Sequence, residues 1–158
     1  MPDEKTRANL VHGSLSKEAA GRLLALDLGE KRTGAAITDE MRLTVRLLPA
    51  LHQTNWKELL RAVSVIVRRF DAKGLVIGLP LNFDGTESAA SQKARKRAKD
   101  FELSLNLPVF LQDERLSSRA AEENLRSAGY AEKEIRELVD SHSAAIILQD
   151  FLEQHSLD

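Results

Sequence analysis

Acidic residues stand at the ends of apolar runs in this sequence, where they could act together on phosphate esters. Asp27 lies within the apolar run LLALDL at residues 23–28, and Asp113 and Glu114 follow the apolar segment 108–112. Asp140 begins the last helical pattern of the chain. An unpaired carboxylate in an apolar interior costs several kcal/mol, so Asp27 needs a partner.

Each acid also has a local interpretation that involves no chemistry. Asp27 could pair with Lys31 or Arg32, Asp113 and Glu114 could be a strand-end pair matched by Arg115, and Asp140 could be a first-turn acid. Metal binding explains all of them jointly, because Mg²⁺ or Mn²⁺ prefers oxygen ligands. Two such ions could position a water and polarise a phosphodiester.

Composition excludes several other kinds of site. The 158 residues contain no cysteine, which rules out disulfides, thiol nucleophiles and Cys-ligated zinc, and the four histidines lack metal-ligand spacing. No apolar run approaches the roughly 20 residues of a membrane span. A single cytoplasmic domain with no membrane contact, as a monomer or a homodimer, is the expectation for this chain.

The pattern predicts a polar, flexible N-terminal extension over residues 1–21 and one α/β domain over residues 22–158. A mixed five-stranded sheet is expected, with a three-strand antiparallel meander, further parallel strands, and helices on its faces. The predicted strands cover residues 23–28, 33–38, 43–48, 74–79 and 108–112, with Pro49 closing the third. Helices are predicted over residues 56–70, 90–105, 117–129 and 132–138, and a final helix from about Asp140.

Four sequence blocks carry a resemblance to a known family. LALDLGEKRTGAAITD, LVIGLPLNFDGTES, QDERLSS and VDSHSAAIILQDFL occur in this order between about residues 22 and 152. They resemble the blocks of the YqgF family of Holliday-junction resolvases and pre-16S rRNA nucleases. The resemblance implies an RNase H-like fold and a metal-dependent hydrolase that cleaves phosphodiester bonds.

The same resemblance implies roles for individual residues. Asp27, Glu114 and Asp140 match the family's proposed catalytic acids and metal ligands, and Asp113 is an alternative ligand. Related resolvases carry an acid just after the fourth strand, whereas this strand ends Gly-Leu-Pro at residues 78–80. Glu114, from the neighbouring strand, is therefore expected to substitute for it.

Basic and polar residues are expected to hold nucleic acid. Lys31, Arg32 and Arg115 follow the acidic positions, Lys93 and Arg97 belong to the cluster KARKRAK, and Asn82 lies in a polar turn. A salt bridge or a solvated helix face explains the same cations without a substrate.

Processing of the 5′ end of pre-16S rRNA, within ribosome biogenesis, is the expected function. A branched-DNA resolvase and a non-catalytic nucleic-acid-binding module are the alternatives. A nucleotide phosphotransferase is disfavoured, because the chain has no room for a second lobe.

Overall fold

The computed structural model describes residues 21–114 and 117–155, with residues 117–121 and 136–141 described by their backbone alone. Residues 1–20 of the predicted extension therefore lie outside the described residues, as does Arg115. Five strands and four helices occur in the described part: β1 (Leu23–Leu28), β2 (Arg32–Thr38), β3 (Val45–His52), α1 (Trp56–Phe70), β4 (Gly74–Leu79), α2 (Ala89–Leu105), β5 (Val109–Asp113), α3 (Ser117–Ser127) and α4 (Glu132–His155). None of the described helices is long and apolar enough to cross a membrane.

The five strands form one mixed sheet in the order β3-β2-β1-β4-β5. β1, β2 and β3 pair antiparallel as a meander, whereas β1, β4 and β5 run parallel. The helical connections α1 and α2 make this possible, because parallel neighbours need a crossover. The predicted mixed sheet is confirmed, and it brings the carboxyl ends of β1, β4 and β5 to one edge.

The sheet has an apolar core on each face. Residues alternate between faces along a strand, so Leu24 and Leu26 of β1 pack with α1 and α2, whereas Leu23 and Ala25 pack with α4. β1 is buried from Leu23 to Leu26 because strands flank it on both sides. By the same alternation Asp27 belongs to the face that α4 covers.

The helices α1 and α2 begin and end at residues that satisfy their free backbone groups. The Asn55 side chain accepts the Glu58 amide proton, and Ser88 forms a capping box with Ser91. Asp71 and Asn106 end these helices in the left-handed conformation, where short polar side chains are tolerated.

Two sequence-based boundaries are wrong. Pro49 does not close the third strand but lies within β3, at a register irregularity on the sheet edge, where its missing N–H breaks no central ladder. The predicted helices at 132–138 and from Asp140 are one continuous helix, α4. Asp140 is therefore an interior residue of α4, so the interpretation as a first-turn acid is also wrong.

Candidate active site

Asp27 and Glu114 come together at the carboxyl edge of the sheet. Asp27 is the penultimate residue of β1, opposite Gly34 of β2. Glu114 directly follows β5, and its backbone N–H donates to the Leu79 carbonyl of β4 at 3.2 Å. The two acids belong to strands that are separated by β4, yet their carboxyl groups form a hydrogen bond.

β4 lies between the strands that carry the two acids, and its Gly78 leaves space for the Glu114 side chain. A Cβ atom at this glycine would lie 2.6 Å from the carboxyl carbon of Glu114 and 2.7 Å from Cδ1 of Ile147. Real Cβ atoms do not approach other atoms so closely, so the Glu114 side chain occupies the space that any side chain at position 78 would need. Glycine in a buried strand often marks such a close approach.

Burial and a neighbouring carboxylate change the protonation of Glu114. Burial, then the charge of Asp27 and its hydrogen bond, and finally the charge of Asp113, raise the pKa of Glu114 to about 9. A hydrogen bond between two carboxyl groups requires a proton on one of them. In the metal-free protein at neutral pH, Glu114 is therefore protonated.

The third predicted acid, Asp140, lies in α4, and its side chain is outside the description. Two turns later in this helix, Ile147 reaches the space above Gly78. The backbone of α4 therefore passes over the edge that carries Asp27 and Glu114. Among the described side chains no group of three metal-ligating residues is formed, so the complete set of Asp27, Glu114 and Asp140 stays a prediction.

Asp113 occupies a different position from Glu114. Phe110 of β5 packs with α4, whereas Val109 and Leu111 pack on the opposite face of the sheet. Because side chains alternate along a strand, Asp113 belongs to the same face as Val109 and Leu111. Its charge nevertheless contributes to the raised pKa of Glu114. The geometry is consistent with the predicted order, in which Glu114 is the ligand and Asp113 the alternative.

A cleft of about 530 Å³ adjoins the carboxyl pair at Glu114, which lies on its wall together with Gly78, whereas Asp27 does not line it. Lys93 and Arg97 of α2 also line it, so two of the predicted substrate contacts share this cleft with Glu114. The cleft lies where the start of α1, the start of α2 and the turn after β1 meet; its other lining residues are Leu28, Gly29, Glu30, Gln53, Thr54, Asn55, Trp56, Leu59, Pro80, Ala89, Ala90 and Ala94.

Of the remaining predicted substrate contacts, Lys31, Arg32 and Asn82 are not on the wall of this cleft, and Arg115 lies outside the described residues. Lys31 is exposed, and Arg32 begins β2 and is partly buried. The Asn82 side chain donates to Thr86 Oγ1 at 3.0 Å and to the Glu87 carbonyl at 3.2 Å. These bonds give Asn82 a structural role in its own turn, beside any contact with substrate.

Comparison with known proteins decides the family. The sequence model of the RuvX family, described as Holliday junction resolvase, matches residues 21–154. This chain belongs to the RuvX family. RuvX and YqgF are two names for the same family, so the relationship predicted from the four sequence blocks is confirmed.

The RuvX relatives are similar over most of their length. A Syntrophus aciditrophicus protein named "Putative pre-16S rRNA nuclease" is 38% identical over 132 residues, which cover 84% of this chain and 88% of the relative. A protein of the same name from Anaeromyxobacter sp. (strain K) is 41% identical over 135 residues, or 85% of this chain and 98% of the relative.

Solved structures confirm the RNase H-like fold that is expected of a RuvX-family chain. RuvC of Thermus thermophilus, solved with a Holliday junction substrate, has a TM-score of 0.52 at 14% identity and covers 85% of this chain and 95% of RuvC. The fowlpox virus Holliday junction resolvase has a TM-score of 0.51 at 15% identity and covers 84% and 98% of the two chains.

Gly78 is the feature of this RuvX site that the sequence interpretation missed. β4 reads GLVIGL, an apolar strand in which a glycine at the carboxyl end adds no packing and weakens the strand. That unfavourable choice was a signal that another group approaches closely. The approaching group was not identifiable, because Glu114 lies 36 residues further along the chain.

The raised pKa of Glu114 predicts that this RuvX-family protein is less stable at alkaline pH. Below about pH 4.5 both the folded and the unfolded state hold the proton, whereas between 4.5 and 9 only the folded state does, so the free energy of unfolding falls as pH rises. Glu114→Gln should flatten this decline and stabilise the metal-free protein above neutral pH by about 1–3 kcal/mol. Thermal unfolding in EDTA across this pH range measures the effect, about 2–4 °C per kcal/mol.

Glu102→Gln is the matched control for Glu114→Gln, because Glu102 is an exposed glutamate of α2. Its unfolding temperature should follow that of the unmodified protein at every pH. Equal pH profiles for both variants would contradict the protonated state of Glu114.

Proposed function

We propose that this chain is a divalent-metal-dependent nuclease that cleaves structured RNA, with the 5′ end of pre-16S rRNA as its substrate. The observation that carries the proposal is the hydrogen-bonded Asp27–Glu114 carboxyl pair, held half-buried beside a cleft with Lys93 and Arg97 on its wall. The names of the RuvX relatives support the choice of RNA.

The carboxyl pair fits a hard divalent cation. Two carboxyl groups in contact can both ionise only if a positive charge offsets their repulsion, and oxygen is the ligand type that Mg²⁺ and Mn²⁺ prefer. Asp27 and Glu114 would hold the metal, one or two ions, with Asp140 completing the set and Asp113 as the alternative. When bound, the metal supplies Lewis acidity toward a phosphodiester and lowers the pKa of a bound water.

The protein's own groups have separate tasks in this proposal. Glu114 gives up its proton before it can act as a ligand, because only the carboxylate binds a cation. Gly78 leaves the path along which Glu114 reaches Asp27. Lys93 and Arg97, together with Lys31, Arg32, Arg115 and Asn82, hold the phosphates and sugars of the substrate.

Metal removal tests the proposed activity directly. Purified protein should shorten a pre-16S rRNA fragment at its 5′ end with Mg²⁺ or Mn²⁺ and should show no cleavage in EDTA. Because ligation displaces the Glu114 proton, the metal concentration for half-maximal cleavage should fall as pH rises toward 9. The assay follows end-labelled RNA on denaturing gels.

A four-way DNA junction and its linear duplex arms are run beside the RNA. Cleavage of the junction alone would replace the RNA substrate with branched DNA, as the description of the RuvX family suggests. Salt-dependent binding of either nucleic acid without cleavage under any metal condition would instead make the chain a binding module.

A further inference from the structure

The cleft beside the carboxyl pair has two chemically different parts. Trp56, Leu59 and Leu28 give it an apolar wall, whereas Lys93 and Arg97 place two cations on α2. Its volume of about 530 Å³ lies within the range of pockets that take small molecules. A ligand that fits both parts has a flat apolar body and an anionic group.

The Arg97 side chain is fixed in position by neighbouring residues in the absence of a ligand. Its guanidinium lies over the Trp56 ring, 4.7 Å from the ring centroid, and its Nη1 donates to Asp100 at 3.3 Å. The Arg97 side chain is only 26% exposed. A cation that is fixed in this way loses little conformational freedom when it binds a phosphate.

The start of α1 borders the cleft, and two of the amides there already have acceptors. Asn55 Oδ1 accepts the Glu58 amide proton at 2.9 Å, and Glu58 Oε2 accepts the Thr54 amide proton at 2.9 Å. The amides of Thr54 and Glu58 are thus satisfied by the protein itself. The positively charged side chains on the described wall of this cleft are those of Lys93 and Arg97 on α2.

Gln53 lines the cleft, and its side-chain amide is fixed by two hydrogen bonds. Its Nε2 donates to the Gly29 carbonyl at 3.0 Å and to Thr33 Oγ1 at 2.9 Å. Because the Gly29 carbonyl can only accept, the amide orientation is determined, and the buried Oε1 has no hydrogen-bond partner among the described residues.

We propose that this cleft binds one unpaired nucleotide of the nucleic-acid substrate, with the base against the apolar wall and a phosphate at Lys93 and Arg97. The inference rests on the proposed nuclease function and deepens it. The occupied cleft would anchor the strand next to Asp27 and Glu114, so the preferred substrate has an unpaired nucleotide close to the cleaved bond. Fully paired duplex cannot place a base in the cleft without breaking a pair.

Trp56 allows the binding to be measured without catalysis, because it is the single tryptophan of the chain and lies on the cleft wall. Nucleoside 5′-monophosphates are titrated in EDTA, and Trp56 emission is excited at the red edge, where bases absorb little. Ribose 5-phosphate and inorganic phosphate are the probes that lack a base. The monophosphates should quench the emission with an affinity roughly tenfold above that of either base-free probe.

Matched variants of α2 connect the signal to the cleft. Ala90→Phe should weaken nucleotide binding at least tenfold by filling the cleft, whereas Gln92→Phe, also exposed on α2 but not on the wall, should not. Lys93→Ala should weaken it roughly three- to tenfold. Lys96→Ala, an exposed lysine off the cleft wall, is the control for charge.

Three results would overturn the inference: no binding of monophosphates, equal affinity for the base-free probes, or equal effects of Ala90→Phe and Gln92→Phe. The outcome is independent of the cleavage assay. Nucleotide binding with this pattern in a protein that cuts nothing would refute the proposed nuclease function but support the inference that the cleft binds a nucleotide. Metal-dependent cleavage without nucleotide binding would support the nuclease function and refute nucleotide binding in the cleft.

Discussion

Asp27→Asn is expected to lose metal-dependent cleavage by roughly a thousandfold or more, the largest effect of any single change in this chain. The amide keeps the shape of the side chain but removes the charge that would hold the cation in contact with Glu114. Cleavage of pre-16S RNA under saturating metal measures the loss. Direct titration with Mn²⁺ should show weaker binding in the same variant.

Unfolding does not explain such a loss, because Asp27→Asn removes a half-buried charge and, with it, one cause of the raised pKa of Glu114. The unfolding temperature of the metal-free variant should be at least that of the unmodified protein. Asp71→Asn is the control, since Asp71 is exposed and precedes β4, at the opposite edge of the sheet. Cleavage by Asp27→Asn at the rate of this control would refute the assignment of the site.

Gly78→Ala is expected to reduce cleavage roughly a hundredfold while the protein stays folded. The new methyl group collides with the ends of two flexible side chains, Glu114 and Ile147, which can move aside at a modest cost of about 1–3 kcal/mol. Movement of Glu114 takes its carboxyl group away from Asp27. The stability profile should consequently lose much of its decline between pH 4.5 and 9.

Gly74→Ala is the matched control on the same strand and the same face. There the nearest atom is Leu23 Cδ2 at 3.0 Å, and no acidic group lies among the nearest atoms. The two alanine variants should therefore share a loss of stability, but only Gly78→Ala should lose cleavage and metal affinity. Equal activity of the two would show that Gly78 does not position Glu114.

Relocation of the acid gives a second test of the same geometry. Because the missing Cβ of Gly78 lies so close to the carboxyl carbon of Glu114, an aspartate at position 78 can place its carboxylate in nearly the same region. Gly78→Asp combined with Glu114→Ala should recover metal binding and part of the cleavage that Glu114→Ala alone loses. A double variant as inactive as the single one would contradict the equivalence of the two positions.

The carboxyl pair also links activity to stability. A protonated Glu114 beside Asp27 lowers the free energy of unfolding at neutral pH, and the variants that relieve this cost are the ones expected to lose cleavage. Such a conflict is typical of functional sites, which keep groups that packing alone would not select.

Local patterns were sufficient for most of the fold. β1 was recognisable from its apolar run and α1 from its three- and four-residue periodicity, because both patterns reflect burial of one segment against the rest. The break predicted before Asp140 failed because a polar stretch with Asp and Ser looks like a new helix start. In the fold, the helix continues through this stretch, and Ile135 before it and Ala144 after it are both buried in the interior.

The sequence by itself determined the carboxylate chemistry, since a charge inside an apolar strand, acids at the end of β5 and the ordered blocks need no coordinates. Only the tertiary structure decided how Glu114 meets Asp27. That contact depends on the sheet order, with β4 between β1 and β5, and on the missing side chain of Gly78. Strand order and side-chain clearance are non-local properties, and so is the burial that keeps a proton on Glu114.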